Sequence, residues 1–86
     1  MKEIRYAITD PLGLHARPAG LLVKEAASHA CAVTIAANGG AAVDAKRILG
    51  VMKLAAKQGM ELTLTFDGAD EEAAAASMEA FLKANL

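Results

Sequence analysis

The chain has one cysteine, three aromatic residues, two prolines and no tryptophan among its 86 residues. With Cys31 alone, neither an internal disulfide nor a cysteine zinc cluster can form, and a lone thiol suits a reducing cytosol. Tyr6, Phe66 and Phe81 are too few to make a platform for stacked bases. Positive charge is not in excess either. Nine basic and ten acidic side chains give a formal net charge of −1, whereas nucleic-acid phosphates demand clustered cations. No apolar run approaches the ~20 residues of a membrane span, and Met1–Tyr6 has no apolar stretch of signal length. These absences predict a cytoplasmic, soluble protein with no metal, no cofactor, no nucleic acid and no direct membrane binding.

What is present is aliphatic. Hydrophobic residues are 55% of the chain, many of them alanine, so the core is expected to consist of Ile, Leu, Val, Met and Ala. The length predicts one domain over residues 1–86. A domain this small buries only about 60–65% of its unfolded surface. It has little spare stability for a deep cavity, which favours a surface site.

Hydrophobic period changes along the chain. Residues 2–8 alternate, with Ile4, Tyr6 and Ile8 on one face, as in a half-buried strand. Asp10-Pro11-Leu12-Gly13 stops it. Ala19, Leu22, Val23 and Ala26 then form a helical stripe over residues 16–29, with Pro18 in the first turn, where a missing N–H costs nothing. Residues 32–37 alternate again. Asn38-Gly39-Gly40 signals a hairpin turn, predicting a short returning strand at 41–43. Asp44 is placed to cap a helix over about 46–57, with Gly59 just past its end. That helix is apolar on two sides, Val51 and Leu54 on one, Ile48, Leu49 and Met52 on the other. It is therefore either fully buried or it exposes a binding surface. Residues 60–66 make the strongest strand, with Leu62, Leu64 and Phe66 inward. Asp70 is placed to cap a last helix, with Glu71 and Glu72 where the helix dipole favours acids and Ala74, Met78, Phe81 and Leu82 as its buried stripe. The order β-α-β-β-α-β-α predicts a two-layer α+β domain with a mainly antiparallel sheet.

The chemistry concentrates in Gly13-Leu14-His15-Ala16-Arg17-Pro18, at a loop-to-helix junction. The first amides of a helix lack partners, and with the dipole they make an anion site. A histidine just before them can carry a phosphoryl group that those amides then hold. Neutral imidazole is the nucleophile. Arg17 adds a cation with fork geometry suited to phosphate oxygens. On physics alone the same pair reads equally as an ordinary surface His and Arg. His29, near the end of the first helix, reads as structural.

The stretch Gly13-Leu14-His15-Ala16-Arg17-Pro18-Ala19 resembles the active-site signature of the histidine-containing phosphocarrier (HPr) family of the bacterial phosphoenolpyruvate–sugar phosphotransferase system. Ala45-Lys46-Arg47-Ile48-Leu49-Gly50-Val51-Met52 resembles that family's second-helix motif, and Asp67-Gly68-Ala69-Asp70-Glu71 its last turn. The resemblance spans the chain. It implies an HPr-like open-faced β-sandwich, a four-stranded antiparallel sheet with three helices on one face. It implies that His15 accepts a phosphoryl group on Nδ1 from enzyme I and delivers it to the IIA domains of sugar permeases. The carrier would then be a monomer that is chemically active without being a self-sufficient enzyme. Arg17 is implied to stabilise the phosphate, with the Ala16 and Arg17 amides binding it. Leu14, Gly20, Lys24, Ile48, Leu49 and Met52 are implied to form the partner-docking surface, and the positive charge of Arg47 is expected to help docking to acidic partner surfaces.

The chain departs from the family at two places. Arg47 stands where some members carry a regulatory serine, so a phosphate ester cannot form there. Leu12 stands where a short polar residue is usual, three before the histidine. The 38–44 turn also looks one residue longer than is common. Three alternatives stay open beside the sugar carrier: a nitrogen-branch carrier, a regulatory module on the same fold, and an unrelated α+β protein that binds nucleic acid or metal. Regulatory relatives replace the active histidine, which this chain keeps.

Overall fold

The computed structural model describes residues 1–86. The alternating segments form strands β1 (Lys2–Ala7), β2 (Ala32–Ala37), β3 (Val43–Asp44) and β4 (Glu61–Asp67). The helical stripes form α1 (Ala16–Ala27), α2 (Ile48–Lys53) and α3 (Glu71–Asn85). Sheet order is β1-β4-β2-β3, with every neighbouring pair antiparallel. Strands β4 and β2 are therefore internal. Leu62, Leu64 and Phe66 are fully buried on the inner face of β4, opposite Tyr6, Ile4 and Lys2 of β1 and Ala37, Ile35 and Val33 of β2.

The three helices pack on that inner face, α1 against α2 and α3, and α3 against β1 and β4. Leu22, Ala26, Val51, Met78 and Leu82 from the helices join the strand residues in one contiguous core. The other face carries Glu3, Arg5, Thr34, Thr63 and Thr65, and is polar. The Thr34 and Thr65 hydroxyls, paired across β2 and β4, hydrogen-bond there. The expected two-layer α+β fold and the four-stranded antiparallel sheet are thus observed.

Several local expectations are corrected. Asn38 and Gly39 do take positive φ (49° and 74°), and the Gly40 amide bonds the Ala37 carbonyl. The returning strand, however, pairs only at 43–44, so the hairpin loop is longer than the turn itself. Asp44 does not cap α2. It lies in β3, and its Oδ1 accepts from the Lys46 amide, which leaves Arg47 at the cap position. The helix is also shorter than expected. Ala55, at φ +48°, ends it two residues past Lys53, and the glycine at 59 serves a later turn. A left-handed alanine costs about 1–2 kcal/mol. What it achieves is the placement of the Ala56 carbonyl, which accepts the Leu14 amide at 2.9 Å.

Asp70 precedes α3 as expected, yet its carboxylate does not cap it. It accepts from the amides of Ala30 and Cys31 at 3.0 and 2.9 Å, pinning the start of β2 to the start of α3. Cys31 is buried. That burial, and then the neighbouring Asp70 carboxylate, push its thiol above the usual range.

The Ala30 amide is the main reason the Asp70 carboxyl titrates below its ordinary 3.8. A carboxyl depressed on folding contributes stability above its unfolded value and loses it as pH falls through the folded one. Asp70→Ala is therefore expected to lower stability at neutral pH and to flatten the acid limb below about pH 4. Urea melts at a series of pH values check this. An acid limb of unchanged slope would refute it.

Candidate functional site

Asp10, Pro11, Leu12 and Gly13 form a turn closed by the Gly13 amide on the Asp10 carbonyl at 2.9 Å. Asp at the first corner, Pro at the second and Gly at the fourth is the residue pattern of a type I turn. Gly13 is there by necessity. Its φ is +68°, and a Cβ would lie 2.5 Å from the Ala56 carbonyl oxygen and 2.8 Å from the Lys57 Cα. The chain then enters α1 with His15 at the cap position in extended conformation (φ −92°, ψ −177°).

The His15 imidazole is half-buried and makes no hydrogen bond within the chain. Its backbone carbonyl instead accepts the Ala19 amide at 2.9 Å. Of the first four helical residues, Pro18 has no N–H and Ala19 has already found its acceptor. That leaves the Ala16 and Arg17 amides as exposed donors without an internal partner. They follow His15 directly in the chain, at the positive end of a 12-residue helix, where a bound anion is favoured. Arg17 is exposed and pairs with no acid.

Ile48, Leu49 and Met52 are exposed at 41, 75 and 39%, while Val51 on the opposite side of α2 is fully buried. The choice left open by the two-sided apolar pattern thus falls to an exposed patch. Gly20 and Lys24 are exposed on α1, which packs against α2. Arg47 is 81% exposed, and its Nε stands 3.6 Å from Asp44 Oδ2. Val43, Asp44, Lys46, Arg47, Ile48 and Leu49 line a shallow open depression beside the patch. Leu14 is a correction. Only 5% exposed, it belongs to the core, because the Leu14–Ala56 hydrogen bond draws its backbone inward. Its side chain is not available to a partner. Leu12, by contrast, is 73% exposed and adds apolar surface next to the histidine.

One feature escaped the motif reading. Residues 11–24 and 45–60 contain no acid at all but hold Arg17, Lys24, Lys46, Arg47, Lys53 and Lys57, six of the nine cations. Counting charge by segment finds this where whole-chain net charge hides it. Lys46 is used internally, donating to the His29 carbonyl at 2.8 Å. His29 itself is engaged by Glu25 at 2.8 Å and lies beyond the far end of α1 from His15.

The structure is thus a two-layer βαββαβα protein with a free histidine at a helix start, next to free amides and an unpaired arginine, an arrangement chemically suited to an anion. The comparisons narrow that class. The family model described as the PTS HPr component phosphorylation site matches residues 2–84. The phosphocarrier protein HPr of Lysinibacillus sphaericus is 47% identical over 74 residues, covering 86% of this chain and 83% of that protein. The crystal structure of HPr from Thermoanaerobacter tengcongensis superposes with a TM-score of 0.91 at 34% identity, covering 99% of this chain and 94% of that one. A Mycoplasma histidine-containing phosphocarrier protein superposes with a TM-score of 0.87 at 39% identity, over 93% and 90%. The chain belongs to the HPr phosphocarrier family.

Proposed function

We propose that this protein is the sugar-branch phosphocarrier of a phosphoenolpyruvate-dependent phosphotransferase system, accepting a phosphoryl group from enzyme I on His15 and passing it to IIA domains of sugar permeases. The observation that carries the reading is the juxtaposition of a free imidazole with two unpartnered helix amides. The Nδ1 lone pair attacks phosphorus as the bond to the donor nitrogen breaks, and that electron pair returns to the donor. The Ala16 and Arg17 amides and the Arg17 guanidinium take the phosphoryl oxygens, so charge arriving on His15 meets donors already in place. In this reading the protein is a stoichiometric carrier, and its partner proteins supply the rest of the catalysis.

Docking uses Gly20, Lys24, Arg47, Ile48, Leu49 and Met52, with the cationic segments around them selecting acidic partner surfaces. The test is incubation with phosphoenolpyruvate and purified enzyme I, followed by intact mass and ³¹P NMR. One acid-labile phosphoryl group per chain is expected. A folded protein that stays unmodified with several enzymes I would overturn the reading in favour of a regulatory module.

Arg47 is expected to aid encounter through long-range attraction. Arg47→Ser should slow transfer from enzyme I about two- to fivefold at low ionic strength and converge on the parent near 1 M salt, where the Debye length shrinks to about 3 Å. Stopped-flow transfer rates across a salt series decide it, and equal rates at low salt would sink the idea.

A further inference from the structure

The loop that delivers His15 is organised by an acidic residue outside the phosphate-binding groups. Asp10 makes hydrogen bonds through three different atoms. Its amide donates to the Leu86 carbonyl at 2.8 Å. Its Oδ1 accepts from the Leu12 amide at 2.8 Å. Its carbonyl accepts from the Gly13 amide at 2.9 Å.

The anchor behind it is firm. The Thr9 amide and hydroxyl each donate to the same Leu86 oxygen at 2.7 Å, and Leu86 is buried at 3% exposure. Gln58 Nε2 donates to the Thr9 carbonyl at 3.1 Å. The upstream end of the loop is thereby tied to the end of α3, and its downstream end to Ala56 through Leu14.

We propose that Asp10 is a positioning residue for phosphoryl transfer: by engaging the Leu12 and Gly13 amides it fixes the turn that sets His15 at the start of α1. The inference rests on the phosphocarrier reading of His15. Without the Oδ1 acceptor, the Leu12 amide has no partner in the chain and the turn can open. The fraction of molecules with His15 in transfer geometry then falls. The negative charge of Asp10 does nothing for an incoming phosphoryl dianion, so the side chain acts through the oxygen it places. Asn, which keeps that oxygen and drops the charge, preserves the function.

The experiment compares the parent with Asp10→Ala and Asp10→Asn. Single-turnover transfer from phosphorylated enzyme I is measured at 25 °C over a range of carrier concentrations, beside hydrogen exchange of the Leu12 and Gly13 amides. Asp10→Ala is expected to slow the saturating rate about fivefold, the factor that one lost hydrogen bond of ordinary, uncharged strength corresponds to. The half-saturating concentration should stay within about twofold, and exchange at Leu12 and Gly13 should accelerate by a similar factor. Asp10→Asn should match the parent in both readouts. Thr9→Val, which removes one donor from the Leu86 anchor, should slow transfer in the same direction, and it serves as the second arm if Asp10→Ala does not fold. Native transfer by Asp10→Ala, or an Asp10→Asn variant as slow as Asp10→Ala, overturns the proposal alone. A parent that takes no phosphoryl group from enzyme I overturns the carrier reading and this proposal with it.

Discussion

His15→Ala is expected to abolish phosphoryl uptake completely while leaving the fold intact. The imidazole hydrogen-bonds to nothing in the chain, so its removal orphans no partner. The backbone at position 15 is extended (φ −92°), which alanine adopts without strain. Stability should therefore change by no more than about 0.5 kcal/mol. No other group can substitute. The second histidine, His29, is held by Glu25 at 2.8 Å, lies past the carbonyl end of α1, and has no free helix amides to receive an anion. Intact mass after incubation with phosphoenolpyruvate and enzyme I reads the loss, and a thermal melt reads the fold. A phosphoryl group that persists in a folded His15→Ala variant would move the site elsewhere, and peptide mapping would then start at His29.

Gly13→Ala should damage fold and function together. The new Cβ would meet backbone at 2.5 and 2.8 Å, and backbone cannot rotate away as a long side chain can. A left-handed conformation costs a non-glycine residue about 1–2 kcal/mol, and overpacking a further 1–3 kcal/mol, so the change should cost roughly 2–5 kcal/mol. A domain of 86 residues has only about 4–13 kcal/mol of stability in total. A fall of about 10 °C or more in melting temperature follows. Relief of the clash by moving the loop would break the Leu14–Ala56 hydrogen bond and displace His15 from the helix start, so transfer should slow more than tenfold even in the folded fraction. Gly20→Ala is the control. No atom lies within 4 Å of its added Cβ, and within α1 alanine should stabilise by about 0.5–1 kcal/mol. A melt of Gly13→Ala within a few degrees of the parent would mean that the loop has an alternative packing.

What the chain shows openly is local. Alternation in β1, β2 and β4 and the apolar stripes of α1 and α3 depend on residues no more than a few positions apart, because side-chain direction repeats every two or 3.6 residues. The same holds for the start of α1. Gly13, His15, Arg17 and Pro18 lie within six consecutive residues, so the free amides just after His15 follow from their spacing.

Partner choice over distance is not written in any such pattern. Asp70 stands where a cap belongs, yet two amides 39 and 40 positions away take its carboxylate. Asp44 has the right chemistry to cap α2, but its pairing with Thr34 holds it in a strand. Leu14 looks like surface beside the histidine, and only the Ala56 carbonyl draws it inside. Thr9 reaches Leu86 across 77 positions, and nothing in either residue advertises the other.

The amino-acid sequence by itself determined the class of fold and the placing of His15 and Arg17 at the start of a helix, because each rests on short-range periodicity and on the chemistry of adjacent side chains. Tertiary structure alone decided which face of α2 is left open, which acids brace loops instead of capping helices, and what holds the His15 loop still. Those outcomes depend on which of several chemically competent donors and acceptors the folded backbone brings within about 3 Å, the distance at which a hydrogen bond forms.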